Sequence, residues 1–139
     1  MAKQHQDSVW PYIYSGRSLN NNGFKMTIYN KGIGPALIKS VSINVDGTNY
    51  NSWQSLLNQY DLDTLTFYCS NISGTIISPQ EEHTIFGLTK STEALLVWNK
   101  IPNINVDIIY CSIHDECWNS NGSQIKKINS YESINGICK

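Results

Sequence analysis

The sequence predicts an all-β fold, an immunoglobulin-like two-sheet β-sandwich with one or two short helical crossovers. Three observations predict it. Short apolar–polar alternations recur along the chain, Gly, Asn and Pro punctuate them at β-turn intervals, and only two stretches switch to helical spacing. A closed barrel is the main rival architecture. At 139 residues the chain suits one domain that can bury its own core. Residues 1–7 read as a polar lead-in, and 8–139 as a single sandwich domain ending in a polar tail.

The elements follow in order. "SVWPYIY" alternates Val9, Pro11 and Ile13 against Trp10, Tyr12 and Tyr14, and Pro11 has no N–H to donate, so an edge strand is expected. "NNNG" is a turn, and "FKMTIYN" puts Phe24, Met26 and Ile28 on one face. In "NKGIGPALIKSVSINVDG", Ala36 and Ile38 share one parity while Val41, Ile43 and Val45 share the other. A bulge near Lys39–Ser40 must reset the register, and such a bend lets one strand serve two sheets. Gly32 and Gly34 are expected in conformations closed to other residues, with Pro35 fixing the start of the strand. Asp46-Gly47 then reads as a hairpin turn.

"SWQSLLNQY" places Trp53, Leu56, Leu57 and Tyr60 at helical spacing behind a capping Ser52. "LTFYCS", "GTIIS" and "HTIFGL" read as strands, with "SPQEE" a turn. "STEALLVWNKI" reads as a second helix capped by Ser91, with Ala94, Leu95, Trp98 and Ile101 on one face. "NINVDIIYCSI" is the clearest strand, its Ile104, Val106, Ile108 and Tyr110 on one side, and the tail holds at most a strand at "IKKI".

Composition excludes some functions. Charged residues make up only 15% of the chain, the net charge is -1, and no run of Lys and Arg forms a phosphate-binding surface. No apolar stretch approaches the roughly 18 residues that span a bilayer. The "GIGP" loop lacks the third glycine and following helix of a dinucleotide fingerprint, and the Gly-Lys-Ser/Thr ending of a P-loop. No cofactor is expected.

Four cysteines, Cys69, Cys111, Cys117 and Cys138, permit two disulfides in three connectivities. Cys111 and Cys117 flank "SIHDE", with Asp115 turning the chain, at a distance that suits a bridge closing a hairpin. The weak alternative is zinc, with Cys111, His114 and Cys117 as half a site completed by Cys69, Cys138, His83 or His5. His83 with Glu81 and Glu82, and His114 with Asp115 and Glu116, are the only groupings suited to proton transfer, and no nucleophile motif accompanies them. A catalytic site is therefore not expected. Trp10, Tyr12 and Tyr14 share a face and, if exposed, form a protein- or glycan-binding strip. Asn71 and Asn121 each begin a glycosylation sequon, read as a chance match.

Two resemblances rest on these residues. "NKGIGPALIKSVSINVDG" resembles the Asn-x-Gly-x-x-x-Ala … Asp-Gly pattern of bacterial adhesion-related immunoglobulin-like modules, which bears on fold. "HQDSVWPYI", "NKGIGPALIKS" and "YCSIHDECW", in this order, resemble a family of small, uncharacterised bacterial proteins. Its members carry one N-terminal transmembrane helix, a short polar juxtamembrane segment and a β-rich domain. The likeness spans Gln4 to about Trp118 and implies a membrane tether ahead of Met1. It brings no activity.

Together these readings give a non-catalytic, membrane-tethered binding domain of the bacterial envelope. It sits at the inner membrane and faces the periplasm if the disulfides form. Its partner is an unidentified protein or small ligand, not nucleic acid. The alternative is a small-molecule or metal sensor built on the Cys111–Cys117 hairpin.

Overall fold

The computed structural model describes residues 10–101, 103–121, 124–131 and 137–138. Expectations resting on the lead-in, His5, Val9 and the last two residues of the Asn121 sequon lie outside these. Among the described residues, ten strands and two helices follow one another as β1 (Ile13–Asn20), β2 (Gly23–Asn30), β3 (Ala36–Val45), β4 (Thr48–Tyr50), α1 (Trp53–Gln59), β5 (Tyr68–Cys69), β6 (Ile76–Ile77), β7 (Glu82–Leu88), α2 (Ser91–Lys100), β8 (Ile104–Cys111), β9 (Cys117–Ser120) and β10 (Ile125–Ile128).

The strands form two antiparallel sheets, β1-β2-β7-β5 and β10-β9-β8-β3-β4, with β6 joining β3 beside β4. Lettering β1, β2, β3, β5, β7, β8 and β9 as A to G gives A-B-E-D against C-F-G, the strand order of immunoglobulin sandwiches. The two helices occupy two of the crossings between sheets, C to D and E to F. The core lies between the sheets. Phe24, Met26 and Ile28 from β2 and Ile104, Val106, Ile108 and Tyr110 from β8 are buried there, as their alternation predicts. Trp53 of α1 stacks on Phe86 at 4.3 Å between ring centroids.

The parity change in β3 produces the expected bulge. Its register against β8 shifts between Ile38 and Ser40, so Ala36, Ile38, Val41, Ile43 and Val45 all point inward. The strand does not serve two sheets, however: both halves pair with β8, and the bulge only restores the inward face. At the following turn Asp46 and Gly47 have φ of 50° and 86°, the left-handed pair that joins a tight hairpin.

Several local expectations need correction. β1 is an edge strand as predicted but begins at Ile13, so Trp10–Tyr12 form a lead into it. Ser52 caps α1 by accepting from the Ser55 N–H at 3.1 Å, whereas the cap position of α2 is Lys90, with Ser91 already helical. Its buried face carries Ala94 and Val97 rather than Leu95, which is exposed. Arg17 of β1 fixes this helix, donating to the Ile101 carbonyl at 3.1 Å and lying 4.3 Å from the Trp98 ring. The strand in "LTFYCS" is only Tyr68–Cys69, because the residues before it wrap α2, where the Thr66 N–H bonds Glu93 at 2.9 Å.

Candidate functional site

Asn30, at the end of β2, organises the region from which the site is built. It is fully buried and satisfied on both sides of its amide. Its Oδ1 accepts from the Tyr12 N–H at 3.1 Å and the Gly32 N–H at 2.9 Å, and its Nδ2 donates to the Gly34 and Ile77 carbonyls at 2.9 and 3.0 Å. These bonds tie the lead segment, the "GIGP" loop and β6 together. The main chain adds to them: Lys31 N–H donates to Tyr12 O at 2.8 Å, and Ile33 N–H to Trp10 O at 3.2 Å.

Gly32 is needed here for a different reason from the one expected. The residues with left-handed backbone include Gly23, Gly47 and Gly74, but neither Gly32 nor Gly34. A Cβ on Gly32 would instead lie 2.3 Å from the Trp10 carbonyl oxygen and 2.6 Å from the Tyr12 nitrogen. The glycine is there to let two backbones meet. The loop cradles the protein's own lead segment, not a phosphate.

That packing sets out the aromatic strip. Trp10 is half-buried against Trp118, at 5.4 Å, and Trp118 stacks in turn on Tyr110. Tyr12 is 52% exposed, across from Ile33 at 63%, over a shallow groove of about 490 Å³ whose other walls are Pro11, Lys31 and Gly32. Tyr14 meets Tyr29 edge-on at 5.8 Å, and the Lys31 ammonium lies 4.6 Å from its ring centre. The three aromatics therefore differ: Trp10 anchors, Tyr12 is open, and Tyr14 is partly covered. A second hollow, of about 400 Å³, adjoins the groove at Lys31, with Gly16 and Thr27 between Tyr14, Tyr29 and Glu82. Sequence reasoning missed Ile33, Tyr29 and Lys31, since their place beside the strip depends on the loop folding back under Asn30.

The four cysteines are bridged as Cys69–Cys138 and Cys111–Cys117, with Cα separations of 5.6 and 4.0 Å. Cys111 and Cys117 are direct partners in the β8–β9 register, and Asp115 turns the hairpin with φ of 61°. Both sulfurs are thus in a bridge, not free as zinc thiolates. Among the described residues no three His, Cys, Asp or Glu side chains converge as metal ligands.

The proton-transfer candidates fall in two separate places, Glu81, Glu82 and His83 at the start of β7 and His114, Asp115 and Glu116 in the turn between β8 and β9. His83 pairs with Glu81 at 2.8 Å, and Glu81 also accepts from the Ser78 N–H at 2.7 Å. That backbone bond, then His83, lowers the Glu81 pKa. Glu116 pairs with Lys127 at 2.8 Å, which lowers its pKa too, while His114 and Asp115 stay exposed at the turn. Each of these two carboxylates is favoured in its ionised form by its hydrogen-bond partners. The sequon residue Asn71 is likewise engaged, exchanging hydrogen bonds of 3.0 and 2.8 Å with the Cys138 main chain.

No family model, curated protein or solved structure matches the chain. Among the described residues no helix is long and apolar enough to cross a membrane.

Proposed function

We propose that this is a non-catalytic binding domain of the bacterial envelope, tethered to the inner membrane ahead of Met1 and facing the periplasm. The observation that carries the reading is the open Tyr12–Ile33 groove, held in place by a buried asparagine and a steric glycine. An apolar pair kept this exposed by so much internal structure suits contact with a partner. Two disulfides favour an oxidising compartment.

Site-specific photocrosslinking in intact bacterial cells tests this. A benzoylphenylalanine replacing Tyr12 or Ile33 should give one discrete adduct, and one replacing Lys126 should not. Equal labelling from all three positions, or none from the first two, refutes the reading. An intact-mass count of four alkylatable cysteines in the native protein would refute the periplasmic placement separately.

A further inference from the structure

The outer face of the four-stranded sheet carries a hollow that the fold leaves open. In register, Tyr14 of β1 meets Tyr29 of β2, and Tyr29 meets Glu82 of β7. One row along, Gly16 meets Thr27, and Thr27 meets Thr84. On β2 these positions alternate with the buried Met26 and Ile28, so the rows lie on the side away from the core. The hollow measures about 400 Å³ and is lined by Tyr14, Gly16, Thr27, Tyr29, Lys31 and Glu82.

Gly16 is the member the fold does not explain. Glycine inside a strand weakens it, and a bulge, a bend or a close backbone neighbour ordinarily accounts for one. None of these applies. The β1–β2 register runs unbroken through Gly16, its φ is not left-handed, and a Cβ on it would meet nothing within 4 Å. Its effect is to keep the floor of the hollow low beside the two tyrosines.

The walls are set before anything binds. The Tyr29 hydroxyl donates to Gln80 Oε1 at 2.6 Å, and Tyr14 is edge-on to Tyr29 with the Lys31 ammonium 4.6 Å from its ring centre. Lys31 and Glu82 bring opposite charges to the same hollow, and among the described residues neither has an ion-pair partner. A net anion or cation would be attracted by one and repelled by the other. A neutral polyol uses both, since Lys31 donates to its oxygens and Glu82 accepts from its hydroxyls. The tyrosines offer apolar surface to the C–H groups of a sugar ring.

The face continues past the hollow. Lys25 of β2 meets Gly87 of β7, and Gly87 meets Tyr68 of β5. A Cβ on Gly87 would run into the Tyr68 ring, so the glycine lets that ring lie across β7, with Tyr68 still 44% exposed. Tyr29 and this row are separated by roughly 13 Å along β2, with Thr27 and Thr84 between them. That is longer than a single sugar ring.

We infer that this face binds a neutral glycan, with one pyranose in the Tyr14–Tyr29 hollow and the chain running over Thr27 and Thr84 toward Tyr68. The balanced charges select a neutral ligand, and the length of the face selects an oligosaccharide over a small zwitterion. The site shares only Lys31 with the Tyr12 groove, and neither reading depends on the other.

Titration of the isotope-labelled domain with hexasaccharides of cellulose, starch, mannan, xylan and chitin, followed by amide NMR, tests this. At least one should bind saturably with a Kd of about 1 mM or tighter and shift the amides of Gly16, Thr27 and Thr84. Gly16→Val should weaken that binding at least tenfold and leave the thermal midpoint equal or higher, because valine fills the floor and favours the strand. Tyr29→Ala should weaken it as much, and serves alone if the valine variant misfolds. Tyr68→Ala should cost at least threefold. No binding by any member of the panel, or binding indifferent to these substitutions, overturns the proposal. Tighter binding of polygalacturonate, an anion, or of glycine betaine, a zwitterion, overturns it as well.

Discussion

At the scale of single residues, two buried polar groups do most to position the surface. Asn30→Ala removes four hydrogen bonds and leaves two N–H groups and two carbonyls without them. A loss of about 3 kcal/mol is expected, readable as a lowered urea midpoint. Asn30→Asp should rescue little, because a carboxylate cannot donate to Gly34 and Ile77.

Tyr110 gives a pH signature. It is buried, and desolvation raises its pKa from 10.0 to about 12, against the smaller lowering effect of its bond from Ile13. The fold thus favours the neutral phenol. That stabilisation is complete below pH 10 and is lost as pH rises from 10 toward 12. Tyr110→Phe should cost about 1 kcal/mol at neutral pH and flatten the alkaline fall of the thermal midpoint.

At the scale of elements, most of the fold was legible. The parity break at Lys39 gave the bulge, Asp46-Gly47 the hairpin, and Ser52 with its helical spacing α1. These signals are local and carry their own geometry. The second helix was read with the wrong face, because which of its apolar residues is covered depends on β1 and β2 lying beneath it. Glycine roles were misassigned for a similar reason: Gly32 answers a close approach between segments, which no local pattern shows. Of the site, Tyr12 was legible and its setting was not, since Ile33 and Lys31 reach it through tertiary hydrogen bonds.

The β8–β9 hairpin is an element with its own cross-link. Its Cys111–Cys117 bridge closes a loop with a sequence separation of only 6. Replacing both cysteines by serine should cost about 2 kcal/mol by loop-closure entropy. Denaturant unfolding of that variant checks the figure, and the Tyr12 groove should survive the change.

At the scale of the whole molecule, the other bridge dominates. Cys69 and Cys138 are separated by 69 residues, so cutting that loop should cost about 4 kcal/mol. The bridge and the Asn71 bonds hold Ile137 against the core, where its carbonyl accepts from the Trp53 N–H at 3.1 Å. Reading the tail as polar overlooked this apolar end. Double serine replacement at Cys69 and Cys138 should therefore unfold at lower urea than replacement of the hairpin pair.

That long bridge also determines how the domain behaves under tension. Pulled from its two ends, the chain can pay out only as far as Cys69 before load passes through sulfur to Cys138. The stretch between them, with a sequence separation of 69, is shielded from extension. In a single-molecule stretching experiment, adding reductant should lengthen the unfolding step by roughly 230–250 Å. An unchanged step would mean that the force does not travel this route. For a domain anchored at one end and gripped by a partner elsewhere, this would act as a built-in limit on stretch.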